Sequence, residues 1–81
     1  MNLIGPYIAS PGALVKIMVM GVQGALDGYV VINGVRNPLR LTRLPHGLAS
    51  IAVLIPSTAK GDILVRVSND RMQCSHTILV V

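Results

Sequence analysis

Apolar residues in this chain come in short runs, and each run is closed by a cluster of Gly, Pro, Asn or Ser. The spacing of these clusters, roughly ten residues, is that of an all-β sandwich or barrel. A first strand is expected over Leu3–Ala9, closed by Ser10-Pro11-Gly12. A second runs over Ala13–Met20 and ends at Gly21, before a turn region at Gln23–Gly28. A third covers Tyr29–Asn33, closed by Gly34. Within Arg36–Leu44 the pattern predicts a turn at Asn37-Pro38 and a short edge strand over Leu39–Thr42. Longer strands follow over Leu48–Ile55, stopped by Pro56, over Asp62–Ser68, stopped by Asn69-Asp70, and over Met72–Val81. Helix signals are nearly absent, because Gly or Pro cuts every candidate stretch. Gly21 and Gly34 permit positive φ where a strand must turn, and Pro56 has no N–H for a ladder.

Alternation within the runs assigns faces. Val15, Ile17 and Val19 lie opposite Lys16, Met18 and Met20. Ile51, Val53 and Ile55 lie opposite Ser50, Ala52 and Leu54. Ile63, Val65 and Val67 lie opposite Asp62, Leu64, Arg66 and Ser68. The first-named sets are the expected core. Lys16, Asp62 and Arg66 decide it, since a one-residue slip would bury them. The runs over Tyr29–Val31 and Met72–Val81 carry no such marker.

Composition adds a second theme. The 81 residues are 52% hydrophobic and only 12% charged, against about 25% charged in an average domain. Such a chain is too apolar for disorder. It is also too small to hide all its apolar side chains, so some are expected on a partner surface. The core is expected to be aliphatic, for there is no Trp or Phe, and Tyr7 and Tyr29 are the only aromatics. The net charge of +4 favours an anionic partner. Cys74 is the only cysteine, which excludes an internal disulfide and points to a reducing compartment. The first 15 residues lack a basic start and are broken by Gly5, Pro6, Pro11 and Gly12, so no secretory signal is expected. The longest uncharged run, 44–59, has 16 residues and contains Pro45, His46 and Pro56. A spanning helix needs about 20 apolar residues, so no membrane association is expected.

Candidate chemistry is sparse. Cys74 and His76 stand two apart on one strand face, where a thiol beside an imidazole is a potential activated nucleophile. No third orienting group accompanies them. The better reading is a buried Cys packing as a small hydrophobe beside a surface or edge His. Zinc would need Cys74, His76, His46 and an Asp to converge from separate loops. Asp27, Asp62 and Asp70 are the only acids, all at turns and without a partner carboxylate for acid–base work. Gly21-Val22-Gln23-Gly24 leads into no helix and so is no phosphate loop. The expectation is a non-enzyme with no catalytic residue, cofactor or metal.

Two sets of residues are expected to make contacts. Arg36, Arg40 and Arg43 are the densest charge cluster. They suit docking on an acidic surface, or they solubilise an edge strand. Nucleic acid is the weaker reading, since no base-stacking aromatic interleaves them. Met18, Met20, Ala52 and Leu54 form the second set. If 14–20 pairs with 48–55, these outward residues join in one apolar patch. A reversed face, or an N-terminal segment covering the patch, is the alternative.

The order of motifs resembles that of immunoglobulin-like domains of the IPT/TIG type. It is carried by Pro6-Tyr7-Ile8-Ala9-Ser10-Pro11-Gly12, by Val31-Ile32-Asn33-Gly34-Val35, by Ile51-Ala52-Val53-Leu54-Ile55-Pro56-Ser57 and by Gly61-Asp62-Ile63-Leu64-Val65-Arg66-Val67-Ser68-Asn69. A last strand ends in Ile78-Leu79-Val80-Val81. The usual aromatic core positions are aliphatic here. The resemblance implies one immunoglobulin-like antiparallel β-sandwich of six to seven strands over 1–81, and an interaction module. A free-standing, unsecreted, cysteine-poor domain of this type resembles the decoration or cement proteins of tailed-phage capsids. That implies a virion structural protein, made in the host cytoplasm, which binds the major capsid protein or neighbouring virion subunits, with a homo-oligomer as a further partner. A soluble recognition module for a protein or carbohydrate is the alternative.

Overall fold

The computed structural model describes residues 1–81. Nine strands follow one another with no helix between them: β1 (Asn2–Ile4), β2 (Ile8–Ala9), β3 (Leu14–Met20), β4 (Asp27–Ile32), β5 (Val35–Pro38), β6 (Arg40–Leu44), β7 (Leu48–Leu54), β8 (Asp62–Ser68) and β9 (Gln73–Val80). They make a four-stranded sheet in the order β1-β3-β7-β6 and a five-stranded sheet in the order β2-β9-β8-β4-β5. All pairings are antiparallel except that of β2 with β9. The inner faces of the sheets close on one aliphatic core, giving a β-sandwich. The strand order is that of the immunoglobulin sandwich, with β2 and β5 added at the two edges of the five-stranded sheet.

The core follows from alternation. β3, β7 and β8 bury every second residue. All three expected core sets are buried, from Val15, Ile17 and Val19 through Ile51, Val53 and Ile55 to Ile63, Val65 and Val67. Val30 and Ile78 complete the layer from the two strands without a charged marker. Almost every member is β-branched, which suits a pleated, tightly packed surface.

The chain makes more strands than the six to seven expected, because two runs divide. Leu3–Ala9 is not one strand. β1 pairs with β3, and β2 pairs with β9 on the opposite sheet. Gly5 and Pro6 make the switch. A Cβ on Gly5 would stand 2.9 Å from Ile17 Cγ1, so only glycine passes this close to β3. Beyond it, Leu79 N donates to the Tyr7 carbonyl at 2.7 Å. The second division is at Arg36–Leu44. Asn37-Pro38 is not a turn but the end of β5, an edge strand where the missing Pro38 N–H costs no ladder bond. The chain then crosses between the sheets at Leu39, which packs on the core. Asn33-Gly34, at φ 50° and 77°, makes the two-residue hairpin turn from β4 to β5.

Candidate functional site

The register of the four-stranded sheet places its outward residues in rows. Asn2, Met20, Leu48 and Leu44 form one row, and Ile4, Met18, Ser50 and Thr42 the next. Lys16, Ala52 and Arg40 form the third, and Leu14 and Leu54 the last. Ile4, Leu14, Met18, Met20, Leu44 and Leu54 are all exposed, Leu14 to 62% and Leu54 to 58%. The expected contact residues Met18, Met20, Ala52 and Leu54 therefore do share one face, and nothing covers it. β1 extends the face instead of hiding it, by adding Ile4.

Leu14, Ile4, Leu44 and Leu48 belong to the same face and were not expected there. Leu14 has the parity of Lys16 and Met18, so the alternation of β3 already carried that signal. The other three needed the pairing of β1, β6 and β7. Lys16 and Arg40 flank Ala52 in the middle of the face. No acid shares it: Asp27 and Asp62 begin strands of the other sheet, and Asp70 lies in the turn between β8 and β9.

The arginine cluster does not hold together. Arg36 is on the outer face of the five-stranded sheet, opposite Val31, with its guanidinium 4.2 Å from the centre of the Tyr29 ring. That distance is a cation–π contact. Arg40 lies on the outer face of the other sheet. Arg43 has the register of buried Ala49, yet it sits on the sheet's edge strand and is exposed. Its Nη1 reaches round to donate to the Gly24 carbonyl at 2.7 Å. The crossing at Leu39 separates Arg36 from the other two, and alternation along β6 sends Arg40 and Arg43 to opposite sides. Only Arg40 joins the apolar face.

Cys74 and His76 both face inward on β9, and here the expected surface His is corrected. His76 is buried, with 5% exposure. Its Nε2 donates to the Pro6 carbonyl at 2.8 Å, and its ring lies 4.9 Å from that of Tyr7. Cys74 Sγ donates to the Met1 carbonyl at 3.0 Å. Both side chains thus bond the N-terminal segment as it switches sheets, and their polar atoms point at carbonyls, not at each other. No three His, Cys, Asp or Glu side chains come close enough to hold a metal ion. His46 lies apart, in the β6–β7 turn at φ 64°. No helix is long and apolar enough to cross a membrane.

No protein-family model matches the chain, and no curated protein matches it. The strand order is common to immunoglobulin-type sandwiches and carries nothing particular to the IPT/TIG type.

Proposed function

We propose that this protein works by binding another protein surface with the outer face of its four-stranded sheet, as a structural component and not as an enzyme. The observation that carries the reading is the gathering of six exposed large apolar side chains around Lys16 and Arg40 on one sheet face. Isolated exposed apolar residues are ordinary, but a contiguous set marks a contact site. Strands of seven residues at about 3.3 Å per residue, four abreast at about 4.8 Å, span roughly 400 Å², about half of the roughly 800 Å² that one partner gives to a stable interface. Met18 and Met20 lend the face adaptable packing. Lys16 and Arg40, with no acid beside them, select a partner that brings carboxylates.

The particular role we propose is decoration or cementing of a virion shell, with the major capsid protein or a neighbouring virion subunit as the partner. It is supported by the small size and by a face suited to flat protein contact. The non-enzymatic reading is supported by the use of Cys74 and His76 as fastenings for the N-terminal segment.

Gradient sedimentation of a lysate from the native source tests both levels. The protein is expected to travel with large particles, and the Met18→Glu and Leu14→Glu variants to stay at the top. If the unaltered chain also stays at the top, the shell role is wrong. If both variants travel with the particles, the face is wrong.

A further inference from the structure

The two sheets part along one side of the sandwich, where the chain leaves β5, crosses at Leu39 and enters β6. A groove of about 210 Å³ opens there, lined by Val30, Ile32, Pro38, Arg40, Val53 and Leu54 among others. Its floor is aliphatic, and its rim carries one charge.

The edge of β7 is open at this groove. β6 pairs with β7 only up to Ala52, which lies opposite Arg40, whereas β7 continues to Leu54. On the far side, Ile55 N donates to the Ala13 carbonyl at 2.8 Å. Backbone groups alternate along an antiparallel strand. The N–H and C=O of Leu54 therefore point away from β3, toward the groove, where no strand meets them. The Arg40 guanidinium lies beside this edge with no carboxylate on its sheet to pair with.

We propose that the groove takes an extended segment of another protein that carries an acidic residue next to an aliphatic one. The acidic residue exchanges both backbone hydrogen bonds with Leu54, continuing the line of β6. Side chains alternate across a sheet. Its carboxylate therefore emerges on the outer face beside Arg40, where a two-point guanidinium pair forms. The adjacent residue turns inward, and its aliphatic side chain fills the space over Val30, Ile32 and Val53. Main-chain bonds supply affinity and the two side chains supply selectivity, as in strand addition generally. The inference rests on the reading of this chain as a protein-binding module, but it uses the groove and not Met18 or Met20.

Selection from a random displayed heptapeptide library on the folded full chain is the test, followed by fluorescence polarisation with the selected peptides. Selected peptides are expected to share an Asp or Glu beside an aliphatic residue. Arg40→Gln is expected to weaken them about tenfold or more, from the loss of a charge-assisted pair. Ile32→Glu is expected to abolish binding, and Met72→Glu, an exposed position outside both the groove and the sheet face, to leave it unchanged. Circular dichroism of each variant confirms that it folds. The proposal is overturned if no peptide is enriched, if the enriched peptides lack an acid, or if Arg40→Gln binds them as well as the unaltered chain. Failure in the groove while the chain still travels with large particles overturns the groove alone. Peptide binding that persists while Met18→Glu and Leu14→Glu still travel with the particles overturns the face alone.

Discussion

Gly28 is a strand residue with no room for a side chain. It lies on the inward side of β4, paired with Val67 of β8. A Cβ there would overlap the Arg66 carbonyl oxygen and stand 2.8 Å from Leu39 Cδ1. Leu39 is the residue on which the chain crosses between sheets, so the bare backbone of Gly28 is what lets the crossover lie down on the core. Gly28→Ala must push β4 off β8 or lift Leu39 out. Overpacking of this kind costs about 3 kcal/mol where the obstacle is backbone, a large share of the roughly 5 kcal/mol that holds a small domain folded. Urea titration is expected to show that loss, or no folded baseline at all. Gly24→Ala is the control, since a Cβ there meets nothing within 4 Å; at φ 75° it is expected to lose only about 1 kcal/mol. A Gly28→Ala protein as stable as the Gly24→Ala control would show that the crossover is not seated as described. The same scale explains Cys74 and His76. Each looked like chemistry in the sequence, and each gives its polar atom to a main-chain carbonyl of the segment 1–6.

Among the elements, the edge strand β6 shows how a charge is used against aggregation. One side of β6 is paired with β7 and the other is open. Arg43 has the inward register there, and its guanidinium turns back to the Gly24 carbonyl. A long polar side chain in that place makes the edge a poor template for another strand. Arg43→Val is expected to stay folded, because Val suits an inward strand position. It is also expected to associate edge to edge, seen as a sedimentation coefficient that rises with concentration while the unaltered chain's stays flat. A monomeric Arg43→Val protein would remove this role from Arg43. The elements also mark how far the sequence could be read. β3, β7 and β8 were legible in extent and in face, because each alternates cleanly and β3 and β8 carry Lys16 or Asp62 and Arg66 as outward markers. β1 and β2 were not, because their division rests on a close pass between Gly5 and Ile17 that is distant in sequence. β5 and β6 were not, because Pro38 reads locally as a turn and is tolerated as an edge strand only once the edge is known. The same crossing at Leu39, together with alternation along β6, undid the arginine cluster: three cations within eight positions reach three different surroundings. His76 was misplaced because β9 carries no charge to fix which side is out.

The whole molecule is polar across its thickness. All three acids belong to the five-stranded sheet and its turns, while the outer face of the four-stranded sheet carries Lys16 and Arg40 and no acid. An apolar face of this size would ordinarily invite a second copy. A twofold axis along β7 sets Lys16 of each copy against Arg40 of the other, and an axis across the strands sets each cation against itself. Either way four positive charges meet in a desolvating interface with nothing to neutralise them, and like charges so placed cost several kcal/mol. Charge therefore opposes self-association through this face, and the partner proposed for it would bring carboxylates. Reversing one charge should remove that opposition. In Lys16→Glu the axis along β7 instead creates two carboxylate–guanidinium pairs across the twofold, with Leu14, Met18, Met20 and Leu54 packed around them. The variant is expected to dimerise at tens of micromolar, on the order of 6–7 kcal/mol of association, at concentrations where the unaltered chain is monomeric. Equilibrium sedimentation reads the difference directly. Adding Arg40→Glu to Lys16→Glu makes the face uniformly negative, so the double variant is expected to return to monomer. A Lys16→Glu chain that stays monomeric would mean that charge is not what keeps copies apart. A double variant that remains dimeric would mean that the dimer forms elsewhere on the molecule.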